Sequence, residues 1–116
     1  CLSHKAAYLD RYAEPDKGWT DRDEARWAAP KWDIDTAMAA MLILLTAVDA
    51  GLGALFFGIP PEKAERFHAT FGVPADHKAI GTIAIGYPKP NDPRSPSLTR
   101  GHRPEVEIVH RGGWGG

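Results

Sequence analysis

The stretch Ala37–Phe57, AMAAMLILLTAVDAGLGALFF, constrains this chain more than any other. It runs 21 residues with a single charge, Asp49. That length and polarity would suit a membrane span. Its punctuation does not. Gly51 and Gly53 interrupt it, Phe56-Phe57-Gly58 follows, and Pro60-Pro61 opens a second helical pattern. Asp33 and Asp35 precede it, and Asp49 lies within it, where a lipid-facing helix would carry no carboxylate. The stretch therefore reads as a helix over about 35–51, apolar almost all round and so central and buried. Its alanines let neighbouring backbones come close. Asp33 or Asp35 is the expected N-cap, and Gly51 or Gly53 the expected C-terminal stop.

The whole chain, 116 residues, is sized for one domain or for part of one. With 14 basic and 15 acidic residues, the charge balance gives no footprint for nucleic acid or an anionic membrane. One cysteine, Cys1, excludes an intrachain disulfide and any multi-thiolate metal site. A reducing, cytoplasmic setting follows as the expectation. No export signal is visible, and a start at Cys points to a processed chain or to residues ahead of those given.

Residues 3–13 form a short predicted helix, with Ser3 as its cap. Residues 16–32 are charged and carry Trp19, Trp27 and Trp32 at irregular spacing. They read as a surface loop with a helical turn near 21–28, its tryptophans packing on a partner surface. After Pro60-Pro61, EKAERFHATF is a helix ending at Gly72, with Ala64, Phe67 and Phe71 on one face. Residues 79–87, AIGTIAIGY, read as a central strand with helices on both sides. Residues 88–104 hold five prolines and read as an extended arm. Residues 105–110, EVEIVH, alternate as a last strand would. The order gives an α+β class. Two strands make no viable sheet, so the sheet is expected to be completed by residues ahead of Cys1 or by another chain.

Three constellations bear on chemistry. Gly51 through Gly58 is a turn where backbone could approach a flat cofactor, although a helix cap alone explains the glycines. It is no Rossmann fingerprint, because it closes a helix rather than opening one. Arg100 and Arg103, flanking His102, are natural phosphate partners or plain solvated charges; Lys89 and Arg94 are weaker candidates of the same kind. His4, His68, His77, His102 and His110 show no metal-ligand spacing such as HExxH, so no metal is expected. No GxSxG occurs. Asp49 reads as a helix-end carboxylate rather than a buried functional one.

Taken in order, Arg11-Tyr12 with Asp16-Lys17, the helix AMAAMLILLTAVDAGLG, ALFFG, the helix ending FGVP, the strand IAIGYP and the segment RGHRPEVEIVHRGGW resemble the C-terminal part of the FMN-dependent nitroreductase family. The resemblance implies a nitroreductase-like fold: a central apolar helix at a homodimer interface, beside an antiparallel or mixed sheet flanked by helices. It implies FMN between two subunits, with Leu55, Phe56, Phe57 and Gly58 near the flavin ring and Arg100 and Arg103 near its phosphate. It implies a nicotinamide donor and a nitro-, quinone- or enone-type acceptor. No residue need act as acid or base, because the flavin carries the chemistry. The arginine-rich opening segment typical of the family has no match here. The rival reading from another class is a non-catalytic flavin-binding or interaction module on the same fold.

Overall fold

The structure is a computed structural model that describes residues 1–91, 93 and 95–115. Strand β1 (Leu2–Ser3) leads into α1 (Lys5–Ala13). A loop with a 3-10 turn at Glu24–Arg26 then leads to α2 (Lys31–Asp49). Next come β2 (Gly53–Phe57), α3 (Pro61–Phe71), β3 (Lys78–Ala79) and β4 (Thr82–Gly86). The remainder contains 3-10 turns at Pro96–Arg100 and Glu105–Glu107.

The strands form two antiparallel ribbons instead of one layered sheet. Leu2 pairs with Ala79 in the first, and Gly53 through Phe57 pair with Gly86 through Thr82 in the second. The predicted strand over 79–87 thus splits at Ile80-Gly81 and serves both. The expected central strand flanked by helices is absent from the described residues, because β4 has β2 as its one partner. ALFFG, read from sequence as a turn, is β2 itself and the residue after it. EVEIVH is a 3-10 turn, not a strand: Glu107 and Ile108 close hydrogen bonds to Pro104 and Glu105.

The helix ends follow local chemistry. Ser3 does not cap α1; it sits in β1, buried, and its Oγ donates to Asp33 Oδ1 at 2.7 Å. α2 starts earlier than predicted, behind Pro30, and neither Asp33 nor Asp35 caps it. Asp33 lies one turn in, where Lys78 Nζ also reaches it at 2.6 Å. At the other end Gly51 takes φ +71°, and the N–H groups of Gly51 and Leu52 bond back to Val48 and Ala47. Glycine is the residue that enters this left-handed stop without steric cost, as anticipated. Gly72 ends α3 the same way.

The tryptophans pack within the chain. Tyr8 and Tyr12 of α1 stack with ring centroids 5.2 Å apart, Trp27 lies edge-on to both, and Trp19 packs against Tyr12 and Trp27. Trp32, at the start of α2, meets Tyr8 edge-on. Residues at i and i+4 on α1 therefore supply the surface that the irregular tryptophans lacked in the sequence.

α2 is central, touching α1, β1, β2 and β4. It is not buried. Ala40 and Ala47 are, while Met38, Met41, Leu42, Leu45 and Val48 lie open, Val48 at 70% exposure. Leu9 is the other buried apolar side chain among the described residues. The radius of gyration is 18.9 Å, against about 13 Å for a compact domain of this length. Among the described residues no helix is long and apolar enough to cross a membrane.

Candidate functional site

The end of β2 and one face of α3 enclose an open cleft of about 640 Å³. Phe57, Gly58, Ile59 and Pro60 form one wall, and Lys63, Arg66, Phe67, Thr70 and Phe71 the other, with Thr82 beneath. Helical spacing explains the second wall: residues 63, 66, 67 and 70 fall on one side of α3. Strand pairing explains the floor, since Phe57 stands opposite Thr82 in the ribbon. The size and apolar lining suit a small aromatic molecule. Lys63 and Arg66 bring positive charge to it and form no ion pair among the described residues.

Of the ring-side residues expected from sequence, the structure brings Phe57 and Gly58 to this cleft. Successive strand residues point to opposite faces, so Leu55, Phe56 and Phe57 cannot all meet one ligand face. Leu55 is largely exposed. Phe56 turns its ring onto Gly81, where an added Cβ would fall 2.3 Å from a ring carbon. Gly81 is thus the glycine that close packing requires, although nothing in its local sequence sets it apart from Gly58. At Gly58 a Cβ would meet nothing within 4 Å, and its φ lies outside the left-handed region. A side chain there would occupy cleft space without backbone strain.

Arg100 and Arg103 line a different cleft of about 510 Å³, together with Gly101, His102 and Ile108. Arg103 is engaged already, its Nε 3.1 Å from Glu107 Oε2 and its Nη2 donating to the Glu107 carbonyl. Arg100 has no ion pair among the described residues and is the freer of the two. Lys89 lines neither cleft. Arg94 lies outside the described residues. Asp49 is exposed at the end of α2.

Sequence reasoning missed one cluster. His4, Asp76 and His77 converge from 73 residues apart, with His77 Nδ1 2.7 Å and His4 Nε2 3.2 Å from the Asp76 carboxylate. Spacing along the chain could not reveal it, because the contact depends on how α3 returns to the start of α1.

The end of β2 and one face of α3, bounding an apolar cleft that Lys63 and Arg66 join, belong to a protein of mixed helices and small antiparallel ribbons. The family model described as Nitroreductase family matches residues 4–87. The chain belongs to the nitroreductase family, whose members are flavin-type oxidoreductases. The matched span contains Leu55 to Gly58 and the whole Phe57–Phe71 cleft; Arg100 and Arg103 lie beyond it. No solved structure matches the chain.

Proposed function

We propose that this chain is a subunit of a homodimeric, FMN-dependent oxidoreductase of nitroreductase type. It passes reducing equivalents from a nicotinamide donor to nitro-, quinone- or enone-like acceptors. The observation that carries this is the cleft between the end of β2 and α3, lined by Phe57 and Gly58 within the span that matches the family. The Phe57–Phe71 cleft supports this reading with an apolar wall for a ring system and open space at Gly58; Arg100, without an ion pair among the described residues, lines a separate cleft.

Bound FMN supplies the two-electron chemistry; the protein orients and tunes it. Phe57 and Gly58 hold the ring, with Leu55 and Phe56 shaping the strand that presents them. Phe67 and Phe71, whose rings pack 4.8 Å apart, exclude water from the opposite wall. Lys63 and Arg66 favour negative charge in the cleft. Arg100 holds the phosphate, with Arg103 beside it. No side chain is assigned a proton-transfer step.

The test is a flavin titration. Arg100→Ala should weaken FMN ten- to a hundredfold, about 1.5–3 kcal/mol for a lost charge-assisted bond, and leave riboflavin nearly unchanged. Gly58→Val should block both flavins while far-UV circular dichroism stays at wild type. Reduction of the bound flavin by NADH or NADPH marks an enzyme. Flavin bands that neither donor bleaches would mark a binding module of the same fold. No flavin binding at all would overturn the reading.

A further inference from the structure

His4 stands just ahead of α1, where its carbonyl accepts the Tyr8 N–H. Asp76 and His77 occupy the turn between α3 and β3, which is fixed by a hydrogen bond from His77 N–H to the Pro74 carbonyl. The Asp76 carboxylate lies between the two imidazoles, one oxygen toward each. One ligand atom from each residue can be chosen so that all three lie within 4.8 Å of one another. Both histidines are about two-thirds covered, with side chains 33% and 27% exposed, while Asp76 opens to solvent. A small cleft of about 170 Å³ adjoins Asp76 and His77. The neighbouring cations are occupied: Lys5 pairs with Glu24 at 2.7 Å and Lys78 with Asp33 at 2.6 Å.

We propose that His4, Asp76 and His77 form a three-ligand site for a divalent transition-metal ion of the Zn²⁺ class. Two imidazole nitrogens and one carboxylate oxygen are a donor set that Zn²⁺ accepts. Bonds of about 2.0–2.1 Å in tetrahedral geometry place neighbouring ligand atoms roughly 3.3 Å apart. The His4–Asp76 contact of 3.2 Å already has that spacing. An ion would take the place of the His77–Asp76 hydrogen bond. The two rings stack 27° apart with centroids at 4.3 Å, so their planes do not yet converge on one point. Binding therefore turns one imidazole about its Cβ–Cγ bond, and the exposed carboxylate follows. The fourth position is left to water. The ion would tie the start of α1 to the α3–β3 turn, a staple in a chain whose own apolar core is small. None of the three residues lines the Phe57–Phe71 cleft, so the site is independent of the flavin reading.

The experiment is calorimetric titration of the tag-free, chelator-treated chain with ZnCl₂. A thermal melt and Co²⁺ absorption spectra accompany it. One ion per chain, a raised melting temperature and the intense visible bands of four-coordinate Co²⁺ are expected. His77→Ala and Asp76→Asn should each weaken binding at least tenfold, while His68→Ala leaves it unchanged. Asp76→Asn keeps the shape of the turn, so it still reports on the site if His77→Ala folds poorly. Absence of binding up to millimolar Zn²⁺ would overturn the proposal. So would binding that is indifferent to both His77→Ala and Asp76→Asn.

Discussion

The two ends of α2 meet the rest of the chain in opposite ways. At the first turns Trp32 and Asp33 are answered within the chain. Trp32 rests on Tyr8, and Asp33 accepts from both Ser3 and Lys78, joining β1, α2 and β3. From Met38 to Val48 the helix presents methionine, leucine and valine to solvent, with Ala40 and Ala47 as its buried inner line. The difference separates two kinds of stability. The first end is held by directional bonds and stacked rings within one chain. The second has apolar surface well beyond what a monomer ordinarily leaves open. We propose that a second copy of the chain covers it, as the homodimeric reading of the site requires.

Placing a charge on the open face should break this contrast most severely. Leu45 is 58% exposed in the single chain. Leu45→Glu would bury a carboxylate without a partner in the dimer, weakening association by about 3 kcal/mol, roughly a hundredfold. Sedimentation equilibrium measures this directly. An unchanged dimer would show that this face of α2 is not the interface.

The anchored end should respond to the loss of its acceptor. Asp33→Ala leaves the buried Ser3 hydroxyl and the Lys78 ammonium without their partner, a cost of about 2 kcal/mol in chemical denaturation. Burial raises the Asp33 carboxyl, but the bonds from Lys78 and Ser3 outweigh it and hold the group below the ordinary carboxylate range. The stability it contributes is therefore fully present above the unfolded value of about 3.9 and is lost as pH falls through the lower folded value. Denaturation midpoints measured down through that window should fall for the wild type and stay flatter for Asp33→Asn. Parallel curves would mean the carboxylate is not linked to folding.

A smaller effect probes the join between the two regimes. Gly81→Ala pushes a methyl group into the Phe56 ring, which must shift to admit it and, at 39% exposure, has room to do so. The expected loss is about 1 kcal/mol, with most of it recovered when Phe56→Ala is added. Strict additivity of the two substitutions in thermal melts would deny the contact.

Much of the architecture is legible in the residues, and the misses share a cause. Gly51, Gly72 and Pro60-Pro61 set helix ends through local backbone rules, so sequence reading locates them. The family likewise follows from an ordered set of segments, and the match over 4–87 bears it out. Non-local contacts decide the rest. ALFFG becomes a strand because TIAIG lies beside it. Ser3 abandons a capping role because Asp33 arrives from another helix. The tryptophans find α1 rather than a partner. Of the residues expected beside a flavin ring, Phe57 and Gly58 line the cleft; Lys63 and Arg66, which join it from α3, carry no local pattern that would single them out. His4 and His77 fail to register for the same reason.

We propose that the open face of α2 is an interface between copies of this chain. It is tested most directly by sedimentation velocity over a dilution series, with far-UV circular dichroism recorded at each concentration. The account predicts a particle of twice the chain mass at micromolar concentration, and loss of helical signal in step with dissociation on dilution. A folded monomer with full helix content at every concentration would contradict it.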